Sequence, residues 1–520
     1  MDLKNSIQES LIYRFFKWLG YIASNSKIFN VSFSQEKKLK VGAYKTWIDS
    51  SLTYRISEKT DAIFQSIERR VHNGIKESRY FGWVVSDSSA NKTVGLTSTS
   101  IIKKLILRLS QWISFNDILA ISVGYYFAID YVVRKLPVIS ALGSVWDELY
   151  LLMIFAYIIL RRIRSAGTIG FNRTPMDLPV VTYFLLGICH VYIRSLDLGV
   201  AIEGFRAVFQ HILWYFAATQ LIRDEDTAEK VVDGAIVLGF LLGLHAIYQY
   251  VMKVPMPGNW VDTGENISTR AFSIIGSPNI LGVIFVLLIY FAFSKALSTK
   301  KTFSRLYYVA AGGAMVMGLL LTMSRGAWLA FAFALAIFTI ALVPRLILPL
   351  TGLGTVFVLF GGALSERLLY MMSPVYLMKS AAGGRLYRWD IGLELWKKNK
   401  FFGVGLGRFG GAVAINNQLA PFYLDNYYLK TLVEMGIFGV AGLVYIIICF
   451  VVSSIREISR QTTIKGRIMT IGLFTGASGV LAQNFVENIF EVPGMVVFFW
   501  LTVALISAYG RKSSGEENSI

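Results

Sequence analysis

The stretch Pro278-Asn279-Ile280-Leu281-Gly282-Val283-Ile284-Phe285-Val286-Leu287-Leu288-Ile289-Tyr290-Phe291-Ala292-Phe293-Ser294-Lys295-Ala296-Leu297 carries no charge before Lys295. At a rise of ~1.5 Å per residue, a helix of about 20 residues crosses a hydrocarbon core ~30 Å thick. A continuous apolar run of that length lacks both the alternation of a half-buried strand and the polar face of a surface helix, and reads as a membrane span. Similar windows recur outward in both directions. On the N-terminal side they fall near 115–133, 138–160, 178–193, 205–222 and 231–252, and on the C-terminal side near 306–323, 327–343, 346–364, 430–452, 468–486 and 490–509. The reading predicts an all-α polytopic membrane protein of about 12 transmembrane helices. The first hundred residues contain no such run.

Composition agrees. The 520-residue chain is 54% hydrophobic, with a mean hydropathy of +0.54, more apolar than an aqueous surface tolerates. Lys and Arg number 51 against 33 Asp and Glu, a formal charge of +18. Such an excess can mark a nucleic-acid binder, but between apolar spans it is the expected content of cytoplasmic loops. Membrane lipids, not nucleic acid, are therefore the expected partners. Cys189 and Cys449 both sit inside apolar runs, with neither metal-ligand spacing nor a disulfide framework. The start, Met1-Asp2-Leu3-Lys4, lacks the pattern of a cleavable signal, so insertion is expected to rely on the first span.

The positive-inside rule orients the spans. Arg161, Arg162, Arg164 and Arg173 follow the second, Lys295, Lys300, Lys301 and Arg305 the sixth, Arg456, Arg460, Lys465 and Arg467 the tenth, and Arg511 and Lys512 the last. All fall on the face of the N-terminus, which predicts a multi-pass membrane protein with both termini cytoplasmic. The second span is the weakest, because it carries Asp147 and Glu148. Three regions result: an N-terminal cytoplasmic or membrane-surface region over 1–112, a multi-span membrane domain over 113–510, and a cytoplasmic tail over 511–520. Within the first, Leu11–Leu19 and Ala62–Arg70 read as amphipathic helices, with Lys103, Lys104 and Arg108 facing acidic lipid; a small cytosolic module is the rival reading.

On this topology the segment from about 365 to 426 is one large extracytoplasmic loop of roughly sixty residues, a length usually reserved for function. It breaks the charge rule, since Arg367, Lys379, Arg385, Arg388, Lys397, Lys398, Lys400 and Arg408 all lie in it. Long loops translocate regardless of charge; an anion site is the other explanation. Leu386, Trp389, Leu393 and Trp396 recur at helical spacing, which predicts an interfacial helix with the tryptophans at headgroup depth. Arg385 and Arg388, three apart, share its surface and could grip a diphosphate bidentately, although snorkelling at an interface accounts for them equally well. Gly405-Leu406-Gly407-Arg408-Phe409-Gly410 matches the dinucleotide-binding glycine pattern, but no βαβ unit surrounds it, and the glycines read better as loop flexibility or close approach to a ligand.

Other short features precede and follow this loop. Arg270-Ala271-Phe272-Ser273 leads into Gly276-Ser277-Pro278-Asn279, where Ser277 and Pro278 suit a capped helix start. Ser324-Arg325-Gly326 forms a tight turn that leaves Arg325 at the membrane edge, where a charge is costly unless it is used. Leu424-Asp425-Asn426-Tyr427-Tyr428-Leu429-Lys430-Thr431-Leu432-Val433-Glu434-Met435-Gly436 places two acids around the start of an apolar helix. Asp425 could serve simply as its N-cap, and Glu434 could be one half of a structural ion pair. Asp224-Glu225-Asp226 resembles a metal-binding acid cluster but reads as solvated charge in a cytoplasmic loop.

The order of these pieces, from about 180 to 500, resembles the O-antigen ligase and polymerase family; the first 110 residues lie outside the resemblance. The family implies a GT-C-like helical bundle with a large loop over a cavity open to the outer leaflet. It implies an undecaprenyl-diphosphate-linked glycan donor and a sugar or lipid-linked glycan acceptor, with no nucleotide, cofactor or metal required. By resemblance Arg270, Arg325, Arg385 and Arg388 hold the diphosphate, with Arg206 as a weaker member. Ligases that act on lipid A core place a His where this chain has Asp425, so the proton-taking role does not simply transfer. Asp425 as base or orienter and Glu434 as a positioning acid are the catalytic candidates. The Asp425-Asn426-Tyr427-Tyr428-Leu429-Lys430 version resembles Gram-positive polymerases of teichuronic acid and exopolysaccharide, which favours a polymerase for cell-surface polysaccharide. The alternative is a membrane transporter or flippase of lipid-linked oligosaccharide, which predicts charges along a midplane path and an internal repeat; no repeat is evident.

Overall fold

The computed structural model describes residues 52–77, 114–166, 168–193, 196–257, 269–343, 347–360 and 362–509. The expectations for Leu11–Leu19, for Lys103, Lys104 and Arg108, and for the tail over 511–520 lie outside these residues. The chain divides into two compact units, the smaller comprising residues up to Ser88 together with Arg162–Gly170. Its described part is α1 (Leu52–Glu77) and the 162–170 stretch. Arg162 Nε donates to Glu68 Oε1 at 2.6 Å, and its Nη2 donates to Asp61 Oδ1 at 3.2 Å. Along α1, Ile63, Phe64, Ile67 and Val71 form an exposed apolar stripe, as the amphipathic pattern of Ala62–Arg70 predicts.

The larger unit contains helices and no strand among its described residues. It opens with α2 (Phe115–Val123), α3 (Tyr126–Lys135), α4 (Trp146–Arg164) and α5 (Asp177–Ile193). Then come α6 (Leu198–Phe209), α7 (Trp214–Leu221), α8 (Glu225–Val251), α9 (Pro278–Ser298), α10 (Thr302–Leu321), α11 (Arg325–Leu342) and α12 (Ile347–Phe360). The long segment that follows holds α13 (Ala363–Tyr370), α14 (Pro374–Ala381), α15 (Arg385–Lys398) and α16 (Ala412–Asn416). It leads into α17 (Tyr427–Arg460), α18 (Ile464–Gln483) and α19 (Pro493–Ala508). Each window read as a span contains helix, although the 138–160 window is α-helical only from Trp146. Among the described residues, five helices are long and apolar enough to cross a membrane: α8, α9, α10, α11 and α17. α5 and α19 are shorter apolar helices. The 115–133 window breaks at Gly124–Tyr125 into α2 and α3, and the 205–222 window breaks at a 3-10 turn over Gln210–Leu213.

The stretch that opened the reading, α9, is the central helix. Its residues are apolar on every side, and such a helix is stable only when surrounded. Leu281 and Val283 to Ala292 are essentially inaccessible, packed among α8, α10, α11 and α18. Glycines bring α18 close: a Cβ at Gly476 would lie 2.5 Å from the Leu287 carbonyl oxygen, and one at Gly472 would strike Ser294. Small residues at a helix contact let backbones approach where no hydrophobic driving force exists between spans.

α17 is interrupted. Gly436, at φ 64°, breaks the helical hydrogen-bond ladder inside an apolar helix, where unpaired backbone groups are costly. The chain at Lys400–Gly405 fills the break. Ile437 N donates to Lys400 O, Gly405 N to Glu434 O and Val404 N to Val433 O, each at 2.9 Å. His190 Nε2 lies 3.0 Å from Met435 O. A Cβ at Gly436 would collide with the Phe401 backbone, so this position needs glycine both for its φ and for its space. The break therefore ties the 362–426 segment to the helix that follows it.

That segment has its own small core of Phe409, Ala414, Ala420, Leu424 and Val433. Trp389 and Trp396 pack against this core rather than presenting an open apolar face. Trp389 Nε1 donates to Leu424 O at 3.0 Å and Trp396 Nε1 to Lys400 O at 3.2 Å.

Candidate functional site

A cavity of about 410 Å³ lies where the 362–426 segment meets the ends of α9, α11 and α18. This is within the ~300–1,000 Å³ usual for small-molecule sites. The first turns of α9, α11 and α15 contribute Asn279, Ser324 to Gly326, and Gly384 and Arg385 to its wall. Helix N-termini present backbone N–H groups and the positive end of the helix dipole, so three together favour an anion. Six cationic side chains reinforce them: Arg270, Arg325, Arg367, Lys379, Arg385 and Arg388. Only two carboxylates, Asp425 and Glu487, line the same space.

Each cation is set by a local rule of the chain. Ser277 caps α9, accepting from Ile280 N at 3.4 Å, with Pro278 in the first turn. This fixes Asn279, whose Oδ1 accepts from Arg270 Nη2 at 3.0 Å. Arg270 Nε also donates to Thr322 O at 2.9 Å, and the side chain is buried. At Met323 the backbone turns through φ 54°, which ends α10 and starts α11 at Arg325. The Arg325 guanidinium sits 5.7 Å from the ring centroid of Tyr370 and 5.2 Å from that of Tyr376, cation–π distances. Arg367 Nε donates to Met323 O at 2.7 Å.

Arg385 and Arg388, one helical turn apart on α15, point at the same carboxylate. Arg388 Nη1 is 3.4 Å and Arg385 Nε 3.6 Å from Asp425 Oδ2. Arg388 Nη1 also donates to Tyr423 O at 3.1 Å, and its guanidinium lies 5.7 Å from the Phe422 ring centroid. The 422–425 stretch is thus clamped onto α15. Asp425 does not cap α17; Asn426 does, accepting from Leu429 N at 3.0 Å. Asp425 itself adopts φ 53°, a left-handed conformation that Asp tolerates better than most residues, and this leaves its carboxylate in the cavity wall.

Glu487, in the turn between α18 and α19, was not singled out by sequence. Asn279 Nδ2 lies 3.3 Å from both of its oxygens and Arg385 Nη2 lies 3.7 Å from Oε2. Burial and the nearby Asp425 charge push its carboxyl up to about 7, against Arg385, the Asn279 hydrogen bond and Arg270. Burial likewise raises Asp425 above the usual carboxylate range, opposed by Arg385 and Arg388. An ionisable residue just past an apolar run, in Phe485-Val486-Glu487-Asn488, was the available signal.

The structure brings Arg270, Arg325, Arg385, Arg388 and Asp425 into one wall, and leaves two expected residues elsewhere. Glu434 is fully buried beside Lys430, with which it forms an ion pair, and accepts from Phe409 N at 3.1 Å. Lys430 Nζ also reaches Glu491 Oε1 at 3.0 Å. Arg206, on α6 and half exposed, pairs with Glu148 and donates to Gln210 Oε1 at 3.1 Å. Neither Glu434 nor Arg206 lines the cavity. Asp224 caps α8 through Thr227 N, and Asp226 pairs with Lys230 at 2.7 Å, so the Asp224-Glu225-Asp226 cluster serves its own helix start.

Chemically, the wall can hold a multiply charged anion through charge-assisted hydrogen bonds and can stabilise negative charge that develops on it. Two carboxylates within the same space can accept a proton. No curated protein matches the chain. Residues 310–444 match the model of a family described as O-antigen ligase, a stretch that includes Arg325, the 362–426 segment, Asp425 and Glu434. The match supports a membrane protein with a general role in glycan ligation or polymerisation, a glycosyl-transferring activity. On that match, residues 310–444 are similar to the O-antigen ligase family, which supports membership of the O-antigen ligase and polymerase family.

Proposed function

We propose that this protein polymerises or ligates glycan repeat units in cell-surface polysaccharide synthesis. It transfers them from an undecaprenyl-diphosphate-linked donor to a sugar acceptor at the outer face of the cytoplasmic membrane. The observation that carries the reading is the convergence of Arg270, Arg325, Arg385 and Arg388 with Asp425 on one cavity wall. A donor of this type is already activated. The protein then has to stabilise the departing lipid diphosphate and accept the proton of the acceptor hydroxyl.

Arg385 and Arg388 reach the cavity from one face of α15, Arg325 from the start of α11, and Arg270 from the segment before α9. Guanidiniums held by backbone carbonyls, aromatic rings and carboxylates are preorganised, so little reorganisation opposes charge development. Arg270 is fixed by Thr322 O and Asn279. The acceptor oxygen attacks the anomeric carbon, and the bond to the diphosphate breaks with its electron pair leaving on phosphate. Asp425, in place of the His of lipid A core ligases, favours a polymerase of the teichuronic acid or exopolysaccharide kind.

The reading is tested in cells by replacing Arg325 with Ala and measuring polymer yield and chain length, with membrane insertion followed in parallel. Loss of polymer from a variant present at wild-type level in the membrane supports it. Unaltered yield and length would sink it and return weight to a transporter or flippase of lipid-linked oligosaccharide.

A further inference from the structure

The cavity holds two carboxylates in different surroundings, and the difference assigns them different work. Asp425 Oδ2 faces two guanidiniums, at 3.4 Å from Arg388 and 3.6 Å from Arg385. Its charge is committed to holding that pair together on α15. Glu487 lies 3.7 Å from the Arg385 guanidinium and 3.3 Å from a neutral amide, Asn279, and is also reached by the Arg270 charge. Asn279 in turn is held by Arg270 at 3.0 Å, so the Glu487 carboxylate has a fixed seat in which a neutral amide shares it with the arginines. About a fifth of its side chain stays open, and Glu487 is part of the cavity wall.

We propose that Glu487, rather than Asp425, takes the proton from the acceptor hydroxyl, while Asp425 positions Arg385 and Arg388 for the diphosphate; this rests on the glycan-transfer reading above. The step balances: the acceptor O–H bond breaks, its oxygen bonds to the anomeric carbon, and the proton passes to a Glu487 oxygen. The anomeric carbon–oxygen bond breaks towards the lipid diphosphate, which leaves with the electron pair. Glu487 then returns its proton to water before the next transfer. The charged groups facing Glu487 are Arg385 from α15, Asp425 from the end of the 362–426 segment, and Arg270 from the segment before α9. Burial, together with these charges and the Asn279 hydrogen bond, leaves the carboxyl at about 7, and a general base works best with its proton affinity near the operating pH.

The test uses the purified full-length chain, with the polyprenyl-diphosphate-linked glycan extracted from source cells that lack this protein. Binding of inorganic pyrophosphate is measured on the same preparations. Glu487→Gln is expected to lower kcat by about 100-fold or more, as removal of a general base does. Glu487→Asp keeps a measurable part of the rate, and pyrophosphate binding by both variants is preserved, which shows an intact site. Wild-type transfer falls as pH drops through the carboxyl value near about 7, because the base must be unprotonated. That acidic limb persists in Asp425→Asn, moved to lower pH because the Asp425 charge helps push Glu487 up, with pyrophosphate affinity changed as well, and it vanishes from the residual activity of Glu487→Gln. A Glu487→Gln protein with wild-type kcat and the same acidic limb overturns the assignment while leaving glycan transfer standing, as does loss of the limb in Asp425→Asn. A wild-type protein that binds pyrophosphate but never extends the glycan overturns the transfer reading, and the assignment with it.

Discussion

Two clusters of charge lie in the C-terminal half of this molecule, one open and one closed. In the cavity, Arg385, Arg388, Asp425 and Glu487 face one another at 3.4–3.7 Å, with side chains between a fifth and a third exposed. In the second cluster, Lys430 is held between Glu434 and Glu491, all three side chains almost inaccessible. Glu434 also takes the Phe409 N–H, and Asn488 Nδ2 reaches Gly410 O at 2.8 Å, so the knot fastens the 362–426 segment to α17 and to the 484–492 turn. The first lies in a wall where six cations face two carboxylates and leave room for a guest, whereas the second is packed against its own partners and has none. Asp425 and Glu434 look alike in sequence, both acids beside the same helix start, yet the first belongs to the open cluster and the second to the closed one.

The largest expected effect breaks the closed cluster. Lys430→Ala leaves two buried carboxylates facing each other, and removing one partner of a buried pair costs about 3–5 kcal/mol. Folded protein recovered in detergent is expected to collapse; a variant with the wild-type Tm would show that the knot holds nothing. Next comes the open cluster. Arg388→Ala is expected to cost about 100-fold or more in transfer, the scale of removing one transition-state donor, with Tm near wild type because the side chain is partly exposed. A Tm loss equal to that of Lys430→Ala, with activity per folded molecule intact, would erase the distinction. The smallest effect is expected at Arg206, whose surface pairing with Glu148 is worth about 0–1 kcal/mol. Arg206→Ala should reduce transfer less than Arg388→Ala does, and an equal loss would bring α6 into the site.

Much of this was legible in the sequence because it was written in order. Hydropathy windows located helix in every stretch read as a span, and Arg270, Arg325, Arg385, Arg388 and Asp425 stood out by their motifs before any geometry was known. What the windows missed were breaks. Gly124–Tyr125 and Gln210–Leu213 divide runs that average as continuous, because a window sums apolarity and does not see the backbone. Periodicity correctly gave α15 an apolar face at Trp389 and Trp396 but could not say whether lipid or protein covers it; Phe409 and Leu424 do. Glu434 could not be told from Asp425 because the groups that close its cluster, Phe409 N and the Glu491 that shares Lys430 with it, are 25 residues earlier and far later in the chain. Glu487 read as the end of a span. Its meaning comes from Asn279 and Arg385, which only tertiary structure places beside it.

The central claim is that the open cluster transfers a glycan from a lipid diphosphate. The most direct measurement is elongation in vitro: purified protein with a lipid-diphosphate-linked repeat unit and no nucleotide, comparing wild type with Arg388→Ala. The account predicts longer lipid-linked glycan with wild type and about 100-fold less with the variant at equal folded protein. A folded wild type that leaves the repeat unit unextended with every acceptor supplied, or an Arg388→Ala protein that extends it at the wild-type rate, would contradict it.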